Sequence, residues 1–248
     1  MKACPAQFSS NQKTSSNPGP HSLNPNSLSL NFQNAGRIQD SFVAAAERKS
    51  LLWLAAHTPE WINPDHLTLL GFVSQMMAGI SYALAQWNRG WLLACIGFLA
   101  LNWLGDSLDG TLARFREKQR PRYGFYVDHM IDSVGGTCLM CGLALSGYMN
   151  PYIVIGLLVF FLLLSIQSYL ATYTLKEFRL SFWGFGPTEL RILLCLGNLA
   201  VLRWPRVLKL HYRLFDLGGV IGIAGMAGMF VFYTAENILR LYREERIS

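Results

Sequence analysis

The sequence predicts an all-α fold, a polytopic membrane helix bundle of about six transmembrane helices preceded by an N-terminal amphipathic interfacial helix. Three observations predict it. The chain is 52% hydrophobic and only 15% charged, with a mean hydropathy of +0.26, too apolar for a water-soluble protein of 248 residues. Its apolar residues gather into runs that match a bilayer core of about 30 Å, which takes roughly 20 residues of helix to cross. Short polar segments with Pro, Gly, Asn and Arg separate the runs and read as turns.

Taken in order, residues 1 to 38 are rich in Ser, Asn, Pro and Gln and lack the apolar run of a secretory signal, so they read as a disordered tail. Residues 39 to 62 form the interfacial segment. In it Phe42, Val43, Ala46, Leu51, Leu52 and Leu54 alternate with Glu47, Arg48 and Lys49, as in an amphipathic helix that lies on the membrane surface or packs on the domain. The transmembrane domain takes residues 63 to 248. Its first span runs from Asp65 to Gln86, with Pro64 at the helix start, and the turn WNRG leads to a second from Trp91 to Arg114. The polar string FREKQRPRY, broken at Pro121, turns the chain into a third span from Gly124 to Ser146. A fourth follows from Tyr152 to Thr174, then the polar segment LKEFRLSFWGFGPTE and a short fifth from Thr188 to Leu202. The sixth, Leu217 to Ile238, carries Gly218, Gly219, Gly222, Gly225 and Gly228, spaced for close helix approach within the bundle or between two chains.

Six spans put both termini on one side. Arg48, Lys49, the five basic residues from Arg114 to Arg122, Lys176, Arg179, Arg191, Arg240, Arg243 and Arg246 fall there, which the positive-inside rule assigns to the cytoplasm. Arg203, Arg206, Lys209 and Arg213 dissent: either they meet outer headgroups or the fifth span is not a full crossing. The formal charge of +6 suits anionic lipid and polyphosphate, and with no base-reading motif it predicts no nucleic acid partner. Cys138 and Cys141, a C-x-x-C without a second pair, read as small core residues, and Tyr169, Tyr173, Trp183 and Phe185 as packing or interface anchors.

The chemistry lies between Asp106 and Asp132. Asp106 and Asp109 are about 60° apart around a helix, and Asp128 and Asp132 about 40°, so each pair shares a face. Counting from the turn puts both pairs roughly 10 to 14 Å deep, facing each other at one level. Aspartates at such a depth are costly and functional by default. Four carboxylates this close need protons or cations among them, and hard oxygen donors at that density suit one or two Mg²⁺, Mn²⁺ or Ca²⁺ ions.

The string Asp106, Asp109, Gly110, Ala113, Arg114, Gly124, Asp128, Asp132 resembles the signature of the CDP-alcohol phosphotransferase family, D-x2-D-G-x2-A-R, then G-x3-D-x3-D. Every fixed position matches, with nine residues between Arg114 and Gly124. The segment INPDHLTLLG is similar to the family's P-N-x-L-T-x-x-G opening. The resemblance implies a phospholipid-synthesising membrane transferase that moves a phospho-alcohol group from a CDP-linked donor to a lipid or polar alcohol acceptor, releasing CMP. It implies two Mg²⁺ or Mn²⁺ ions held by Asp106, Asp109 and Asp128, with Asp132 as the base and a further ligand. Gly110, Ala113 and Gly124 would leave room for the nucleotide, while Arg114 would pair with a phosphate oxygen or an aspartate. A homodimer follows from the resemblance and the glycine-rich last span.

His129 after Asp128, and Thr188-Glu189 at the start of the fifth span, resemble the choline and ethanolamine phosphotransferase branch. There the donor is a CDP-amino-alcohol and the acceptor diacylglycerol, which makes His129 and Glu189 candidates for activating the lipid hydroxyl; His129 would otherwise orient Asp128. The alternative within the family is transfer from CDP-diacylglycerol to a small polar alcohol. A divalent-cation transporter is the alternative of another class, but it has no use for Gly110, Ala113 and Arg114.

Overall fold

The computed structural model describes residues 36–38, 44–175, 177–179, 186–203 and 213–246. Among them are seven helices: α1 (Ala44–His57), α2 (Pro64–Leu84), α3 (Trp91–Phe115), α4 (Pro121–Leu145), α5 (Pro151–Leu175), α6 (Pro187–Arg203) and α7 (Leu214–Glu244). The tail expected for residues 1 to 38 lies outside the described residues, save Gly36–Ile38. That segment, β1, pairs in parallel with β2 (Glu177–Arg179). Trp183, Phe185, Arg206 and Lys209 also lie outside them.

Helix boundaries follow local chemistry. Pro64, Pro121, Pro151 and Pro187 each open a helix, where the missing N–H has no intrahelical acceptor to lose. Pro121, expected inside a turn, is therefore the first residue of α4. The reversal is made by the preceding residues, with Glu117 at a positive φ of 54°. Two arginines of this turn are used internally. Arg116 donates to the carbonyls of Thr58, Pro59 and Ile62, closing the α1–α2 connection, and Arg120 pairs with Asp65 at the start of α2.

Four helices, α2, α3, α5 and α7, are long and apolar enough to cross a membrane. The other two expected spans differ for physical reasons. α4 has 25 residues, but its first half carries Arg122, Asp128 and Asp132. α6 has 17 and reaches only about 25 Å. The sixth expected span is instead the longest helix, 31 residues from Leu214 to Glu244.

α2 is the spine. Both α3 and α4 pack along it rather than along each other. The contacts are backbone on backbone: a Cβ on Gly105 would lie 2.5 Å from the Gly71 nitrogen, and one on Gly79 would lie 2.6 Å from the Cys138 carbonyl oxygen. Gly142 meets Gly79 in the same way. α6 covers α3, α5 covers α4, and α7 closes the ring against α5 and α6. On α5 and α7, Gly156 receives Ile223 and Gly219 receives Ile153. These glycines serve packing within the bundle, whereas Gly218 and Gly228 have nothing within 4 Å.

The core has two parts. Far from the aspartates, Ala78, Tyr82, Leu92, Cys95, Leu99, Leu139, Leu143, Val201 and Phe215 form one cluster. Within it the Tyr82 hydroxyl donates to Asn198 Oδ1 at 3.0 Å, pinning α6 to α2. At the acidic end, Leu51 and Ala55 of α1 join Leu67, Leu108 and Leu112. α1 thus packs on the domain through one face, while Leu52 and Trp53 remain exposed on another. Cys138 is half-buried and Cys141 exposed, both as free thiols.

A side chain at the α2–α3 crossing must push the acid-bearing helix outward. Gly105→Val is expected to lower stability by about 3 kcal/mol, seen as an earlier thermal unfolding transition in detergent. Gly218→Ala, which meets open space, should leave that transition in place.

Candidate active site

Asp106 of α3 and Asp128 and Asp132 of α4 converge across the space between the two helices. One carboxylate oxygen from each lies within 4.8 Å of the other two, and all three residues are partly buried. α2 produces this convergence. By holding both helices against its own backbone it leaves their acidic faces opposite each other with no side-chain layer between. The three hard oxygen donors fit a divalent cation of the Mg²⁺ or Mn²⁺ type.

Asp109 is held differently. Its Oδ2 accepts a 2.6 Å hydrogen bond from the Thr68 hydroxyl of α2, so the fourth aspartate is fixed to the spine one turn from Asp106. Thr68 and Gly71 are the Thr and the closing Gly of the INPDHLTLLG segment. One anchors Asp109, and the other takes the close contact with Gly105 that sets the level of Asp106.

The residue that sequence reasoning missed is Arg191. From α6 its guanidinium donates through Nη2 to Asp106 Oδ2 at 2.5 Å and through Nε to Asn102 Oδ1 at 2.7 Å. Asn102, 3% exposed, donates in turn to the Gly71 carbonyl at 3.0 Å. A fixed cation therefore already faces the triad. Its charge and bidentate donor geometry suit it equally to a carboxylate or a phosphate oxygen. Arg114, expected in that role, donates to Thr111 Oγ1 at 3.2 Å.

His129 is buried between the rings of Phe125 and Tyr169, with centroids 4.1 and 4.7 Å from its own. Its Nδ1 lies 3.6 Å from Asp128 Oδ2, close enough for electrostatic influence but beyond a hydrogen bond. Tyr169, read from sequence as a packing residue, is the lid of this stack. Glu189 accepts from the Gly186 N–H at 2.9 Å, three residues back across the start of α6. It stands on the first turn of the helix that brings Arg191 inward, outside the carboxylate triad.

The small residues frame open volume. A Cβ on Gly110 would meet only the Arg114 guanidinium, at 3.5 Å, and one on Gly124 would meet nothing within 4 Å. Ala113 is partly buried. An acidic cleft with room beside it and a cation on its far wall can hold a divalent ion and an anionic group together.

Residues 61–231 match the family model described as CDP-alcohol phosphatidyltransferase. The chain is similar to an archaetidylinositol phosphate synthase of Pyrococcus horikoshii, 34% identical over 87 residues, covering 35% of this chain and 43% of that protein. It is similar to cholinephosphotransferase 1 of Danio rerio, 27% identical over 193 residues, covering 68% and 48%. Inner membrane protein YnjF of Escherichia coli is 48% identical over 56 residues, covering 23% and 25%. The chain spans less than half the length of each of these three relatives.

If Arg191 competes with cations for Asp106, Arg191→Ala should tighten Mn²⁺ binding several-fold, as read by electron paramagnetic resonance titration without nucleotide. Unchanged affinity would mean that the guanidinium and the ion do not share that oxygen.

Proposed function

Because this chain belongs to the CDP-alcohol phosphatidyltransferase family, we propose that it moves a phosphate-containing group from a CDP-linked donor to an alcohol acceptor in the membrane, releasing CMP. The observation that carries this reading is the convergence of Asp106, Asp128 and Asp132 within 4.8 Å of one another beside the open faces of Gly110 and Gly124.

Asp106, Asp128 and Asp132 would hold Mg²⁺ or Mn²⁺, with Asp109 completing the set for a second ion. The bound metal supplies charge neutralisation for the donor diphosphate and for the departing CMP. The chain's own residues do the rest. Gly110, Ala113 and Gly124 admit the nucleotide against the helix backbone. Arg191 and Arg114 are the cations at hand for phosphate oxygens. Asp132 takes the proton from the acceptor hydroxyl as its oxygen attacks phosphorus, opposite the bond to the CMP oxygen. Hydrocarbon around the bundle limits water, which would otherwise compete with the alcohol.

For the finer assignment we favour a CDP-amino-alcohol donor and diacylglycerol acceptor. The support is Asp128-His129 with Thr188-Glu189, together with the likeness to a cholinephosphotransferase over 68% of this chain. In that reading His129 and Glu189 help to activate the lipid hydroxyl. The likeness to an archaetidylinositol phosphate synthase supports the other donor class, CDP-diacylglycerol with a small polar acceptor. The excess of Lys and Arg at the acidic end supports a site facing the cytoplasm. The open faces of Gly218 and Gly228 support a second copy packed against α7.

The deciding assay measures CMP release by protein in vesicles. CDP-choline or CDP-ethanolamine with diacylglycerol is compared with CDP-diacylglycerol plus serine, glycerol phosphate or inositol phosphate. Release in the first set only is expected, and no release from any CDP-linked donor would end the transferase reading. Metal movement across the vesicle without CMP release would favour a transporter. Asp132→Asn should lower kcat by about 10²- to 10⁴-fold, and His129→Ala or Glu189→Ala should lower turnover while nucleotide binding persists. Turnover unchanged in the latter two would remove them from the reaction.

A further inference from the structure

We propose that Glu47, on the surface helix α1, is a positioning residue of the site: it sets the level at which Arg191 meets Asp106. Glu47 is 9% exposed, unusual for a carboxylate on a helix expected to lie at the membrane surface. Its Oε1 accepts three hydrogen bonds, from Trp103 Nε1 at 2.9 Å, Ser107 Oγ at 3.1 Å and Thr188 Oγ1 at 3.1 Å. Two of these donors flank Asp106 on α3, one turn before it and one residue after it. The third lies one turn before Arg191 on α6, on the same side of that helix.

Glu47 is therefore the knot between the helix that bears Asp106 and the helix that bears its cationic partner. Arg191 is held at its tip by Asn102 and Asp106, but the height of its Cα depends on where the start of α6 sits. Thr188 and Glu47 fix that start. Leu51 and Ala55, one and two turns further along α1, pack on Leu67, Leu108 and Leu112. The carboxylate is thus presented from a base that is itself anchored beside the site. The other oxygen, Oε2, is buried without a hydrogen-bond partner, so all three donors converge on a single atom. Releasing Glu47 would free α6 to slide or tilt and loosen Arg191 from Asp106.

The proposal rests on the transferase reading only for its turnover readout; a metal readout tests it separately. Mn²⁺ alone is titrated into the full chain in nanodiscs by electron paramagnetic resonance. Glu47→Ala should tighten Mn²⁺ binding in the same direction as Arg191→Ala, and the double variant should show no further shift. Glu47→Gln, which keeps an acceptor oxygen, should return the wild-type value. In the CMP assay Glu47→Ala should lower kcat/KM for the donor by about tenfold, and Glu47→Gln should restore it. Wild-type Mn²⁺ affinity in Glu47→Ala, or effects that multiply in the double variant, would overturn the proposal. Should Glu47→Ala fail to fold, Thr188→Val cuts the same link from α6 and is held to the same outcomes. A wild-type protein that binds Mn²⁺ but releases no CMP would remove the transferase reading and leave the Mn²⁺ comparison to decide on Glu47.

Discussion

Everything at the acidic end depends on the crossing of α2 with its two neighbours. Where Gly71 meets Gly105, and Gly79 meets Cys138 and Gly142, the helices touch through their backbones. In lipid, where apolar side chains gain little from leaving the solvent, such close approach is a main source of association energy. It also fixes relative height, because a helix seated glycine on glycine has few alternative registers. α3 and α4 take their levels from the same spine, and Asp106 meets Asp128 and Asp132 as a result.

A second constraint is electrical. Carboxylates converging in a half-buried cleft repel one another, and a bundle must tolerate that repulsion while it folds. Arg191 supplies one internal positive charge, bonded to Asp106 and supported by Asn102, which is itself tied to α2 through the Gly71 carbonyl. The same side chain that steadies the acids can serve a substrate phosphate, because guanidinium binds both oxyanions with the same fork of donors. The basic residues of the following turn divide their labour: Arg116 and Arg120 hold the chain connections to α2.

The aspartates were legible because helix periodicity and one hairpin suffice to bring Asp106 near Asp128 and Asp132. The starts of helices were legible at proline, although Pro121 proved to open α4 instead of sitting in the turn. What could not be read were contacts closing long loops of sequence. Arg191 lies 85 residues from Asp106, and in the sequence it is one more of the basic residues expected on the cytoplasmic side. Thr68 and Gly71 stood inside a recognisable segment, but only the packing of α2 shows that one holds Asp109 and the other makes room for Gly105. Glu47 looked like the polar face of an amphipathic helix. Its burial follows from the way α1 docks, which no local pattern encodes.

The short helix α6 carries polar fasteners along its length: Thr188 to Glu47, Arg191 to Asn102 and Asp106, and Asn198 to Tyr82. Interhelical hydrogen bonds in membranes contribute about 0.6 kcal/mol each on average. Together they pin α6 at both ends of the bundle, so it has little freedom to ride up or down as the surrounding lipid thickens or thins. Adjustment to a thicker or thinner bilayer then falls to α7, which is 31 residues long and is tied near its start, where Asp216 accepts from the Asn150 N–H at 2.6 Å. The acidic end is thereby insulated from changes in lipid composition that tilt its longest neighbour.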